Sequence, residues 1–137
     1  MIQDHGSVPK VAGITADQHS LSHHGQDEAK IAQLKIVETE LVSAFADLMD
    51  KLGTEHNGVS LLDSTRVLYG SNLGNANSHE AKKLPIMVAG GEFEHGKHVA
   101  HEGETDAPLC NLYVTLLQSM GLEIDAFGQS TGALSWS

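Results

Sequence analysis

Ile31, Leu34, Val37, Leu41, Phe45, Leu48 and Leu52 recur at steps of three and four residues, and this pattern constrains the fold more than any other in the chain. Steps of three and four return a side chain to one face of an α-helix, so the seven residues form a single apolar stripe. Lys30, Lys35, Glu38, Glu40, Asp47 and Asp50 fall on the other face. Asp27 and Glu28 suit the positive end of the helix dipole, and Gly53 suits its C-terminal stop. The spacing predicts a helix over 26–52, roughly 40 Å long. Such a helix needs an apolar surface to cover its stripe.

The rest of the chain must supply that surface. Residues 1–25 have no sustained period and are rich in Gly, Ser, Asp and His, so they read as extended loop. Thr65-Arg-Val-Leu-Tyr-Gly70 is a short β-branched and aromatic run, read as a strand over 65–70. Leu84-Pro-Ile-Met-Val-Ala89 is nearly continuous apolar sequence closed by Gly90-Gly91, read as a strand over 84–89 buried on both faces. Pro85 fits the start of such a strand. Residues 97–100 are a candidate short strand. Pro108 opens a second amphipathic helix over 108–120, with Leu109, Leu112, Leu116 and Met120 on its stripe and Gly121 at its end. The expected class is therefore α/β, with strands and helices in layers. Two strands cannot make a sheet covered on both faces, so the chain reads as a single partial domain. Its partner would be a missing N-terminal part or a second copy by self-association.

Composition narrows the function classes. Eighteen acidic residues against eight basic give a formal charge of −10, which argues against a nucleic-acid footprint. Protonation of all nine histidines would bring that charge to −1, so surface charge depends strongly on pH below about 6.5. Only 4% of residues are aromatic, so the core is aliphatic. The lone Cys110 excludes an internal disulfide and lies in an apolar run as a small buried hydrophobe. No run approaches the ~20 apolar residues of a membrane span. Residues Met1–Lys10 lack the apolar centre of a secretory signal.

The histidines carry the chemistry. Three groups stand out: Asp17-Gln-His19-Ser-Leu-Ser-His23-His24-Gly25; Ser71-Asn72-Leu-Gly-Asn-Ala-Asn77-Ser-His79; and His95, His98 and His101. Imidazole nitrogen in a glycine-lined loop binds borderline divalent cations well. It also serves as an ordinary hydrogen-bonding cap. The third group recurs every three residues beside Gly96 and reads as surface. Ser130 lies in a glycine-rich turn with no base beside it, so it is not expected to be a nucleophile. Gly90-Gly91 lacks the Lys and Ser/Thr of a phosphate loop.

Five segments in order carry a wider likeness. They are His19-Ser-Leu-Ser-His23-His24 with the long helix after it; Gly58-Val-Ser-Leu-Leu-Asp-Ser-Thr-Arg-Val-Leu-Tyr-Gly70; Asn77-Ser-His79; Leu84-Pro-Ile-Met-Val-Ala-Gly-Gly91; and Phe127-Gly-Gln-Ser-Thr-Gly132. Over nearly its whole length the chain resembles the C-terminal region of a bacterial domain-of-unknown-function family, numbered fifteen fifty-two, common in planctomycetes. That family is grouped with the alkaline-phosphatase-like superfamily of phosphatases, sulfatases and phosphomutases. The resemblance implies the C-terminal part of a three-layer α/β/α sandwich with a mostly parallel sheet, incomplete in this chain. It implies an exported protein that acts on phosphate or sulfate esters with a divalent metal such as zinc. It implies Asp17, His19, His23, His24, Asn72 and His79 as metal-site residues, with no catalytic nucleophile among these 137 residues. Asn72 and Asn77 stand where a related family has acids, and neutral amides are weaker ligands for hard cations. The alternative is a non-catalytic binding or structural domain that keeps the fold without the acidic ligands.

Overall fold

The computed structural model describes residues 6–91, 93–99 and 107–134. Their element order is α1 (Gln18–Ser22), α2 (Glu28–Gly53), β1 (Glu55–His56), β2 (Val59–Ser60), α3 (Leu61–Ser64), β3 (Arg66–Gly70), β4 (Ile86–Gly90) and α4 (Leu109–Ser119). The class is mixed helix and strand. The chain divides into two compact units, Met1–Leu52 with Tyr69–Ile86, and Gly53–Leu68 with Met87–Ser137.

In the first unit α2 runs for 26 residues, as the stripe predicts. Asp27 Oδ1 accepts from the amides of Ala29 and Lys30 at 2.8 and 3.1 Å, satisfying donors that a helix start leaves open. Val37 is buried on the stripe, and Phe45 meets Tyr69 with ring centroids 5.0 Å apart. Ile31 and Leu48, on the same stripe, are exposed. Preceding α2, residues 18–22 are not loop as expected but the short helix α1. Its single apolar residue, Leu21, is 1% exposed. One buried side chain in five residues is too little periodicity to be read from sequence.

In the second unit β1 and β2 form an antiparallel hairpin with Glu55 opposite Ser60 and His56 opposite Val59. The two residues between them, Asn57 and Gly58, have φ of 56° and 77°. Both are left-handed, as the tightest hairpin turn requires, and Asn-Gly is the pair that tolerates it best. Residues 55–60 therefore form a hairpin. Ser60 caps the turn that follows, its hydroxyl accepting from Leu62 N. Arg66 donates from its guanidinium to Ser119 O at 2.6 Å, meeting a carbonyl at the end of α4. Asn111 is buried and fully paired: its amide donates to Thr131 Oγ1 at 3.0 Å and its Oδ1 accepts from Thr131 N at 2.8 Å. Leu112 and Val114 complete this unit's small core, while Met120 lies outside it at 60% exposure. Cys110 is half-buried rather than buried.

β3 and β4 appear where the two runs predict them, but their pairing differs from the expected mostly parallel sheet. They form a two-stranded sheet. Ser71 N, just past β3, donates to Pro85 O, just before β4, at 3.2 Å, so the strands run antiparallel. Parallel strands need a crossover, usually a helix, whereas residues 71–85 turn back without one. Nor is β4 buried on both faces: Met87 is 38% exposed and only Gly90 is buried. Gly90, at φ 82°, lies so close to Thr65 O that a Cβ would overlap it. Lys97, His98 and Val99 form no strand, and Ala100 lies outside the described residues. Among the described residues no helix is long and apolar enough to cross a membrane.

Candidate functional site

The first unit brings together three of the six expected metal-site residues. α1 presents His19 in its first turn and ends at His23, whose backbone N–H donates to His19 O at 3.2 Å. The rings of His19 and His23 meet edge-on, with centroids 4.7 Å apart. His79 arrives from the 71–85 loop, and its ring also meets that of His23 edge-on, with centroids 4.9 Å apart. Nε2 of His79 lies 3.3 Å from Nε2 of His23, although the two residues are 56 apart in sequence.

The loop geometry explains this approach. Glu80 N donates to Asn75 O at 2.9 Å, and Gly74 N donates to Glu80 O at 2.8 Å, closing a tight arch over 75–80. Asn75 Oδ1 accepts from Asn77 N and Ser78 N, filling the inside of the arch. His79, at its end, has φ 53°. This is an uncommon conformation for a residue with a Cβ, and it aims the ring toward α1. Asn77 Oδ1 accepts from Gly25 N at 2.8 Å, tying the arch to the turn that follows α1.

The other three expected residues are engaged elsewhere or stand apart. Asp17 is the N-cap of α1: its carboxylate accepts from Ser20 N at 3.0 Å and from Ser20 Oγ at 2.6 Å. The Ser20 hydroxyl and then the Ser20 amide hold the Asp17 carboxyl below its ordinary value. His24 Nδ1 accepts from Gln26 N at 3.1 Å. The neutral ring then carries its proton on Nε2 and has no lone pair left for a cation. Asn72 is exposed, and its side chain makes no hydrogen bond with a described residue.

Two imidazole nitrogens 3.3 Å apart support two kinds of chemistry. One ring donates its N–H to the other, or both keep their protons on Nδ1 and turn two lone pairs toward one cation. Tetrahedral Zn–N bonds of about 2.0–2.1 Å set neighbouring nitrogens about 3.3–3.4 Å apart. The pair therefore has the span of one edge of such a site. No group of three or more His, Cys, Asp or Glu among the described residues is arranged to hold a metal ion. His19 thus flanks the pair without completing a ligand set.

Partial desolvation, followed by the positive charges of His19, His79 and Lys30, pushes His23 below the ordinary histidine value of 6.5. In the metal-free protein the unfolded chain binds this proton more readily than the folded one. The contribution to stability is therefore fully present above the unfolded value and is lost as pH falls through the folded value. Between about pH 7.5 and about pH 5, the thermal midpoint should fall less in His23→Gln than in the wild type. An equal or steeper fall in the variant, followed by circular dichroism, would contradict this assignment.

Among the described residues, the remaining histidine group does not assemble a second site. His95 Nε2 accepts from Gly90 N at 3.2 Å and serves the end of β4. His98 is exposed, and His101 lies outside the described residues. Ser130 Oγ accepts from Phe127 N at 2.8 Å within its own turn. The sequence reading missed the bond between Asn77 and Gly25, which only the folded loop reveals.

No family model, curated protein or solved structure matches the chain.

Proposed function

We propose that this chain is part of a metal-dependent hydrolase of phosphate or sulfate esters, with its metal centre built on His23 and His79 and flanked by His19. The observation that carries the proposal is the 3.3 Å approach of the two Nε2 atoms from segments 56 residues apart. A nitrogen donor pair favours a borderline cation such as zinc over magnesium or calcium. Bound there, such an ion would supply Lewis-acid charge to an ester oxygen. His23 and His79 would hold it through Nε2 with Nδ1 protonated.

The family resemblance adds the rest of the proposal. It places these residues in an alkaline-phosphatase-like sandwich, where an antiparallel strand pair is compatible with an otherwise parallel sheet. Further strands, an acidic ligand and the nucleophile would come from sequence outside these residues or from a second copy. By this reading the chain alone is inactive, and the whole protein works outside the cytoplasm.

One observation favours a non-catalytic binding or structural domain instead. Asp17, the acid of the first histidine group, is committed to capping α1. Equilibrium dialysis of the metal-stripped chain against zinc separates the readings. About one equivalent is expected for the wild type, with strong loss in His23→Ala. Binding below a tenth of an equivalent, or no change in the variant, would remove the metal reading.

A further inference from the structure

The geometry points to Asn77 as the positioning residue that sets the His23–His79 distance. This inference rests on the reading of that pair as the functional centre, and it gives Asn77 a role other than that of a weakened ligand. Two contacts in register carry it. Asn77 Oδ1 accepts from Gly25 N at 2.8 Å, and His79 Nε2 lies 3.3 Å from His23 Nε2. Asn77 is two residues before His79, and Gly25 is two residues after His23, so the same two short segments meet twice.

The backbone that carries Asn77 is held from within its own loop. Asn77 N and Ser78 N both donate to Asn75 Oδ1, at 3.0 and 3.3 Å. Asn77 is half-buried while His79 is exposed. An exposed ring has little packing to fix it, so its placement depends on the backbone it hangs from. The hydrogen bond that Asn77 Oδ1 accepts from Gly25 N supplies that restraint. Asn77 acts on the pair through the backbone, and groups that bond a ligand directly commonly change metal affinity about 10–100-fold when removed, which sets the scale expected here.

The test uses the whole 137-residue chain with two readouts. The first is the nuclear Overhauser effect between ring protons of His23 and His79 in metal-free protein. The second is zinc affinity by dialysis. Asn77→Ala is expected to lose the ring-to-ring signal and to bind zinc about 10–100-fold more weakly. Asn77→Asp keeps an acceptor oxygen and should restore the signal. Ser71→Ala removes only the bond from Leu73 N within the same loop, and should leave both readouts unchanged. A wild-type signal that persists undiminished in Asn77→Ala overturns the inference, and so does an equal loss in Ser71→Ala. If the wild type binds no zinc while the ring signal still follows Asn77, the metal reading fails and the positioning role stands.

Discussion

Replacing His79 with glycine is expected to abolish zinc binding while leaving the chain as stable as the wild type, or up to about 1 kcal/mol more stable. His79 holds φ at 53°, where a residue with a Cβ is disfavoured by roughly 1–2 kcal/mol. Glycine removes that strain but adds about 0.5–1 kcal/mol of unfolded-state entropy. The ring is exposed, so its removal leaves no cavity. The ring is nevertheless half of the Nε2 pair, and loss of zinc affinity should exceed the about 100-fold that an outer partner commands. Urea midpoints and dialysis measure the two effects separately. A destabilisation beyond about 1.5 kcal/mol would show that the ring packs rather than binds. A residue held in strained backbone for function, at the expense of stability, has this signature.

Leu21→Ala is expected to have the largest effect on stability, about 2–5 kcal/mol. Leu21 is 1% exposed and is the sole buried residue of α1. A helix of five residues has no independent stability, so this one side chain and the Asp17 cap fasten it. His19 and His23 lie on either side of Leu21, so zinc affinity should fall with stability. A Leu21→Ala chain that loses less than about 1 kcal/mol in urea would show that α1 is held by something other than its core contact.

What was legible in the sequence divides by length scale. α2, β3, β4 and α4 were readable because each carries its pattern within itself: a seven-residue stripe, a β-branched run, an apolar run, and a proline-led stripe. β1 and β2 are two residues each, too short for a period, although Asn57-Gly58 was a signal for their turn. Strand direction was not legible, because it depends on how the 71–85 loop returns rather than on either strand. The site was half legible. Their place in polar, glycine-containing stretches marked His19, His23 and His79, but nothing local distinguished them from Asp17, His24 and Asn72. Two of those three were sorted by hydrogen bonds, Ser20 engaging Asp17 and Gln26 engaging His24, while Asn72 stands exposed. Only the fold shows which polar residues are already satisfied.

The His23–His79 contact joins points 56 residues apart, and the unfolded chain does not hold them together. Any ion seated between them would bind the native state alone, so its binding energy adds to the stability of the first unit by mass action. At 100 times its dissociation constant, such an ion adds about 2.7 kcal/mol. With one buried aliphatic residue on α1 and one on α2, the first unit has little core of its own, and a contribution of that size would be a large share of what keeps it folded. The histidine pair would then act as a removable cross-link, tightening α1 and the 71–85 arch when metal is plentiful and loosening them when it is scarce.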